Sequence, residues 1–386
     1  MGHYNTIMHQ LLTLIPRNQF DSLTRTHSGN RYVKNFKCWN QFTTMLYSHA
    51  SGKDSLRDIQ NSLAVQQHKL YHLGIKGVKR STLADANKDR PYQIYEGLFH
   101  KILKRCKTLT PKSKFRFKNP LILFDATVVD LCLSMFSWAK FRTTKGAIKI
   151  HFKFDHAGQI PTFLTVTSGK THEIKVARSS FDLIPDSIYC FDKAYIDFDW
   201  FSSINKNKAF FVTRAKKNLK YTVTGQHTQV NRKGVISDER INLTGYYQSK
   251  DYPEELRLVT YYDKEEDRTF KFLTNNFKLA AFTISQIYKA RWQIEIFFKW
   301  IKQNLKIKTF LGTTKNAVMT QIWTAMCYYL LLAYIKYQTK CKSSLYYLHK
   351  VIRGVLLDRL SLIDILNVTE GILPKIKNTD QQLCLL

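Results

Sequence analysis

The spacing of apolar residues changes twice along the chain. Up to about residue 110 they recur at helical intervals. "SLRDIQNSLAV" (55–65) has one apolar face, "LYHLGIKGVK" breaks at Gly74 and Gly77, and "RSTLADANKDRPYQIYEGLFHKILKRC" resumes the helical spacing. Thr82 and Asp85 are spaced like a capping box, and Pro91 should end or re-aim the helix it falls in. Helix, Gly turn and short capped helix fit a helix-turn-helix, and equally an ordinary helical bundle.

From 119 the period shortens. "PLILFDATVVDLCL" (120–133) reads as a buried strand. "AIKIHFKFD" (147–155) alternates, with Ile148, Ile150, Phe152 and Phe154 on one face and Lys149, His151 and Lys153 on the other, the mark of a half-buried strand. "IPTFLTVTSGKTH" (160–172) is a third strand, followed by helix 173–184, strand 187–192, helix 195–204 and strand 209–214. Three meandering strands followed by helix, strand, helix and strand form an α/β pattern. Residues 219–275 return to β character, with a hairpin over 255–276 turning at Asp263–Asp267, and 283–340 read as long helices. The expected division is a helical DNA-binding domain over 1–115, a core in two parts (116–218 and 276–340), a β-rich insertion over 219–275, and a helical tail over 341–386.

Charge narrows the partner. Among 386 residues, 60 Lys and Arg face 29 Asp and Glu, a formal net charge of +31 with a pI near 9.8. Self-repulsion on that scale opposes compaction, so a polyanion is the expected partner: nucleic acid first, an anionic membrane second. Residues 1–120 hold 21 basic and 6 acidic residues, and "KILKRCKTLTPKSKFRFK" (101–118) reads as a basic linker or groove-tracking segment. The longest apolar run, "IWTAMCYYLLLAYI" (322–335), falls short of the roughly 20 residues that span a bilayer and reads as a buried helix. No signal peptide is expected from "MGHYNTIMHQLLTLIPRNQF". The seven cysteines are scattered and never form C-x-x-C, which argues for reduced thiols in a cytosol and against a zinc site.

Three carboxylates carry the candidate chemistry. Asp125 and Asp192 each end a short apolar strand, "LILFD" and "IYCFD", where a carboxylate is held rigidly; Asp also ends strands simply as a turn former. Glu295 is the lone acid in "QIYKARWQIEIFFKWIKQNLKIKTF" (286–310), among six basic residues. On a straight helix Tyr288, Arg291, Glu295, Lys299 and Lys302 form one column. An i,i+4 ladder accounts for Arg291 and Lys299, but four further basic residues have no acid in the segment, so a phosphate backbone is the more economical partner. Phosphodiester cleavage needs an activated oxygen nucleophile, a stabilised leaving oxygen and a neutralised phosphate. Two divalent cations on oxygen ligands supply all three, which points to Mg²⁺ held by Asp125, Asp192 and Glu295.

These residues carry a resemblance. "YKARWQIEIFFKWIK" fits Tyr, two residues, Arg, three residues, Glu, six residues, Lys: Tyr288, Arg291, Glu295 and Lys302. With "DATVVDL" at Asp125, "DKAYIDFDWF" after Asp192, "FFVTRAKKN" and "FLTNN", the chain resembles a DDE transposase of the bacterial insertion-sequence-four (IS4-type) family. The resemblance implies an RNase H-like core interrupted by an all-β insertion and Mg²⁺-dependent hydrolysis at 3′ transposon ends (Mn²⁺ as a substitute). It further implies strand transfer into target DNA, excision through a DNA hairpin, and a homodimer on paired inverted-repeat ends in the bacterial cytoplasm. Asp125, Asp192 and Glu295 would be catalytic and metal-binding. Tyr288, Arg291 and Lys302 would hold phosphates, with Lys299 and Arg214 as further DNA-binding residues. Hairpin-forming members stack a flipped base on a Trp of the insertion, but residues 219–275 contain none; Tyr246, Tyr247, Tyr252, Tyr261 and Tyr262 are the candidate substitutes. A different RNase H-like nuclease, or a DNA-binding protein derived from a transposase, are the alternatives.

Overall fold

The computed structural model describes residues 5–111, 115–140, 145–228, 233–307 and 309–369. The basic segment 101–118 lies outside the described residues at 112–114, and the tail 341–386 lies outside them from 370. The chain forms two compact units, one of residues 110–301 and one combining 1–109 with 302–386. The expected division was linear along the chain, whereas the N- and C-terminal helices share a unit.

The helical unit begins with α1 (Ile7–Thr13), α2 (Arg17–Thr26), α3 (Cys38–Ser51), α4 (Leu56–Val65), α5 (Arg80–Asp89) and α6 (Gln93–Lys107). Ser55 caps α4, its hydroxyl accepting from the Asp58 N–H at 3.0 Å. Gly74, at φ +63°, ends a 3-10 turn in the left-handed conformation that glycine tolerates. The Thr82–Asp85 capping box does not form. α5 already starts at Arg80, whose N–H finds Gln60 Oε1 at 2.6 Å, so both residues lie inside the helix. Pro91 does separate α5 from α6. Residues 66–79 part α4 from α5, too many for the turn of about three or four residues in a helix-turn-helix, so this pair takes the bundle alternative.

In the α/β unit nine strands form one sheet: β1 (Leu121–Leu131), β2 (Gly146–Asp155), β3 (Ile160–Ser168), β4 (Ile188–Phe191), β5 (Phe210–Arg214), β6 (Tyr221–Gln226), β7 (Val235–Leu243), β8 (Leu256–Asp263) and β9 (Arg268–Thr274). Their order is β3-β2-β1-β4-β5-β9-β8-β7-β6. β1, β4 and β5 run parallel, and the other pairings are antiparallel. Helices α7 (Glu173–Ser180) and α8 (Phe198–Lys206) cover one face, where Phe124, Phe191 and Phe211 pack with Trp200 and Phe201. On the other face Phe152 and Phe154 meet Phe297, with ring centroids 5.1 and 5.0 Å apart. Each such buried ring stabilises the unit by about 1.5–3 kcal/mol.

Three expectations change here. β2 is buried on both faces: Lys149 reaches Glu173 at 3.3 Å, and His151 is fully buried, which lowers its pKa to about 4. Neighbours from α7 and from β3 cover the polar face that a half-buried strand would leave to water. The 219–275 block is not all β, because α9 (Tyr246–Asp251) interrupts it, and it is not a separate sheet, because β9 pairs with β5. Finally, the single helix expected over 286–310 is two: α10 (Ala281–Ala290) and α11 (Trp292–Asn304). At the joint, Arg291 N–H bonds Tyr288 O and Ile294 N–H bonds Arg291 O, both at 3.1 Å, a tighter i→i−3 pattern that re-phases the helix.

A buried ion pair ties β7 to β8. Arg257 donates to both oxygens of Asp238 at 2.7 and 2.8 Å, and both side chains are fully buried. Arg257 also donates to Asn276 O at 2.9 Å and Leu279 O at 2.6 Å, fixing the segment that leads into α10.

The helical unit is completed by α12 (Lys315–Gln338), α13 (Leu345–Gly354) and α14 (Leu362–Thr369). α12 has 24 residues, longer than the apolar run suggested, and by length and composition could cross a membrane. Its most apolar window is 94% buried inside the protein, as a core helix requires. Trp323 packs there on Phe99 at 5.2 Å.

Candidate active site

The strand register places the two aspartates. The last ladder pair between the parallel strands β1 and β4 is Phe124↔Phe191. One residue further are Asp125 and Asp192, side by side at about the 4.8 Å spacing of neighbouring strands. Phe124 and Phe191 point into the α7–α8 core, so by alternation both aspartates turn toward the α10–α11 face. β4 ends there. Asp192 then caps a 3-10 turn, accepting from the Ala194 N–H at 3.0 Å.

Arg291 connects the acids. Its Nη1 donates to Asp125 Oδ2 at 3.2 Å and its Nη2 to Glu295 Oε1 at 2.5 Å. The helix joint at Arg291 turns this guanidinium toward the sheet. Burial pushes the Asp125 carboxyl up to about 7; the Ala126 N–H and Arg291 pull it down, while Glu173 and Glu295 push it further up. For Arg291, burial opposes the charge, but Tyr288, Glu295 and Asp125 outweigh it and raise the pKa. The Arg291 Nε is buried without a hydrogen-bond partner.

The donor set suits a hard divalent cation: carboxylate oxygens on rigid elements, with no cysteine or histidine cluster among the described residues. As placed, no three acidic, His or Cys side chains among the described residues surround one ion-sized point. A guanidinium stands between Asp125 and Glu295 instead, so these two oxygens already converge on one positive charge.

Two clefts adjoin Asp192. One, about 270 Å³, is walled by the aromatic side chains of Tyr261, Phe270, Phe272, Tyr288 and Trp292 and by Arg214 and Arg291. The other, about 1050 Å³, carries Lys193, Arg214, Lys216, Lys217, Arg268 and Lys271, with Asp192 the one acid lining it among the described residues. The guanidiniums of Arg214 and Arg268 lie 6.0 and 5.3 Å from the Phe270 ring.

Of the residues expected from sequence, Asp125, Asp192, Arg214, Tyr288, Arg291 and Glu295 gather here. Lys299 is exposed on α11, and Lys302 falls in the helical unit's stretch of chain. Two of the basic residues thought to lack an acid have one from elsewhere: Lys289 pairs with Asp263 at 2.7 Å and Lys306 with Asp54 at 2.8 Å. Among the tyrosine candidates, Tyr252 is buried, Tyr262 is bonded to Asp267, Tyr246 and Tyr247 are exposed on α9, and Tyr261 lines the smaller cleft. Sequence reasoning passed over Phe270, Trp292 and the lysines of the larger cleft. Trp292 follows Arg291 directly in sequence, which is the signal it offered, and the fold leaves it 60% exposed.

Residues 116–331 match the family described as the transposase DDE domain, and residues 3–76 match a domain of unknown function, DUF4372. A Sinorhizobium fredii protein described as transposase y4zB is 35% identical over 254 residues, 65% of this chain and 69% of that protein. A Geobacillus stearothermophilus protein described as a transposase for insertion sequence element IS5377 is 28% identical over 269 residues, 69% of this chain and 70% of that one. A solved structure of the piggyBac transposase synaptic complex with hairpin DNA is similar at a TM-score of 0.44 and 10% identity, over 96% of this chain and 84% of that one.

Proposed function

The chain belongs to the transposase DDE-domain family and is a DNA transposase, and on that premise we propose that Asp125, Asp192 and Glu295 are its catalytic carboxylates. The observation that carries this is the placement of Asp125 beside Asp192 on parallel strands, with Arg291 tying Asp125 to Glu295. The strand order β3-β2-β1-β4-β5, antiparallel only at β2, supports reading this part as an RNase H-like core, with residues 219–275 as its insertion. The protein works on the inverted-repeat ends of its element and on target DNA, as a homodimer in the bacterial cytoplasm.

The three carboxylates would hold Mg²⁺ (two ions, with Mn²⁺ able to substitute), which when bound supplies an activated oxygen nucleophile and neutralises the phosphate. The chain's own residues do the rest. Arg291, bonded to two acids and with its Nε open, would donate to a phosphate oxygen from a nearly buried position. Arg214 and the lysines of the larger cleft would track the strand leaving the site, and Lys299 and Lys302 the duplex beyond. Trp292 and Phe270 are the rings placed to take an unstacked base in the smaller cleft, in place of an insertion tryptophan.

The reading is tested with a labelled inverted-repeat end in Mg²⁺, resolving nicked, hairpin and transferred strands. Recovery of duplex without strand breaks would leave only a DNA-binding role. Trp292→Ala should weaken binding of an end with an unpaired terminal base by about 1–3 kcal/mol and a fully paired end far less, read by fluorescence anisotropy. Equal losses on both ends would remove the stacking role. Replacing Lys216 and Lys217 together by Ala should lower the slope of log K against log salt by about one for each phosphate no longer neutralised. An unchanged slope would make the larger cleft a solvated surface.

A further inference from the structure

α1 and α2 are joined by three residues, Leu14, Ile15 and Pro16, the spacing of a helix-turn-helix that α4 and α5 lack. Ile15 is buried and anchors the turn. The Pro16 carbonyl accepts the Gln19 and Phe20 N–H groups, both at 3.0 Å, and so starts α2. Arg105 of α6 donates to Leu14 O at 2.6 Å and holds the turn in place. Two other pairs are as closely joined, α3 to α4 by 52–55 and α5 to α6 by 90–92. α6, however, is packed against both α2 and α12. α4 ends outward on Ala64 and Val65, whose side chains have no hydrogen bond to offer a base.

α2 differs in what it shows to solvent. At about 100° per residue, Phe20, Leu23 and Thr24 share its inner side. Phe20 is buried against Trp39 and Phe42, with ring centroids 5.2 and 5.6 Å away, and Leu23 lies against Gly97 of α6. Asn18, Ser22 and Arg25 fall on the opposite side, and all three are exposed. These side chains can read base edges: Asn pairs with adenine, Arg with guanine and Ser with either. The single acid of α2, Asp21, is ion-paired with Arg17 at 3.0 Å, so it leaves no bare negative charge to repel DNA.

Cations frame that face on both sides. On the side of Arg17 and Asp21, a cleft of about 700 Å³ carries Arg25, Arg31 and Lys37, and the Arg17 guanidinium lies 4.1 Å from the centre of the Trp39 ring in its wall. On the side of Gln19, a cleft of about 400 Å³ carries Lys101 and Lys104 of α6, both exposed. A polar helix face with basic walls on either side matches a major groove, about 12 Å wide and bordered by two phosphate backbones.

We propose that α2 is the sequence-reading helix of this transposase. It lies in the major groove of the inverted-repeat end, with Asn18, Ser22 and Arg25 toward the bases and Arg31, Lys37, Lys101 and Lys104 toward the flanking phosphates. This rests on the reading that the chain works on inverted-repeat ends. It gives base recognition to residues 3–76, the matched domain of unknown function.

The test uses the full chain without divalent cation, and compares by fluorescence anisotropy a labelled inverted-repeat duplex with a scrambled duplex of equal length. Asn18→Ala and Arg25→Ala should each lower the preference for the end about tenfold, with an unchanged circular dichroism spectrum. Across ends carrying single base-pair changes, each variant should lose the penalty at one base pair and keep the others. Lys101→Ala combined with Lys104→Ala should instead weaken both duplexes alike and lower the slope of log K against log salt by about two. If Asn18→Ala and Arg25→Ala both keep the wild-type preference within about twofold, the proposal is overturned, while recognition of the ends by another surface stands. A uniform loss across the base-pair series would also overturn it, leaving α2 a phosphate contact, as would an unchanged salt slope for the lysine pair. If the wild-type chain itself does not prefer the end, the underlying reading falls, and the role of α2 with it. Should an alanine variant fail to fold, Arg25→Lys keeps the charge without the planar fork. Loss of the penalty at one base pair would then support the proposal, and wild-type penalties would overturn it.

Discussion

Asp192→Asn is expected to lower cleavage of inverted-repeat ends by at least about 10³-fold, more than about 4 kcal/mol of transition-state stabilisation, while end binding survives. The substitution is nearly isosteric. The amide carbonyl of the variant side chain can still accept the Ala194 N–H that Asp192 holds at 3.0 Å, so the turn after β4 should persist. What is lost is one negative oxygen beside Asp125. With fewer negative charges facing the phosphate backbone, affinity for the ends should stay level or rise. Asp125→Asn should behave alike, with one difference: it removes the charge that Arg291 shares with Glu295, so its effect on thermal stability should be the larger. The measurement is strand-resolved cleavage in Mg²⁺ beside gel-shift binding. Wild-type nicking by Asp192→Asn would take this residue out of the active site, and lost binding with lost cleavage would point to misfolding instead.

The second large effect is on stability. Arg257→Met should destabilise the α/β unit by about 3–5 kcal/mol, because Asp238 would remain charged, fully buried and without its ionic partner. For a unit of this size that is a fall in melting temperature of roughly 6–20 °C. Two carbonyls, Asn276 O and Leu279 O, lose their donor in the same step. A neighbouring pair provides the comparison. Arg240 meets Glu255 at 3.4 Å with both side chains partly exposed, and Arg240→Met should cost about 1 kcal/mol or less. Thermal unfolding followed by circular dichroism separates the two cases. Similar shifts for Arg257→Met and Arg240→Met would mean that burial of the first pair contributes little. Because Arg257 fixes the segment entering α10, the destabilised variant should also lose cleavage at temperatures where it remains folded.

Much of the candidate site was legible because its proposed chemistry coincides with local pattern. An acid at the end of an apolar strand, as in "LILFD" and "IYCFD", and a lone acid among basic residues, as at Glu295, stand out against their own neighbours. The hairpin turning at Asp263–Asp267 and the break around Pro91 were equally local. What was missed depends on distant partners. Lys289 looked unpaired within its own helix, yet Asp263 meets it from β8. Lys149, His151 and Lys153 alternate as a wet strand face should, yet α7 and β3 cover them. Phe270 and Trp292 look like ordinary apolar residues until the fold opens a cleft between them and places Arg214 and Arg291 in its wall.

Periodicity, charge and the order of three acids were enough, by themselves, to determine an α/β chain built to meet a polyanion with carboxylates at its centre, because each is a property of residues near one another in sequence. The tertiary structure alone decided which groups share a site. The parallel register beyond Phe124↔Phe191 sets Asp125 beside Asp192, and the tight joint at Arg291 swings a guanidinium between Asp125 and Glu295. Register, helix phase and strand length are settled by packing across the whole sheet, and no stretch of sequence holds that information on its own.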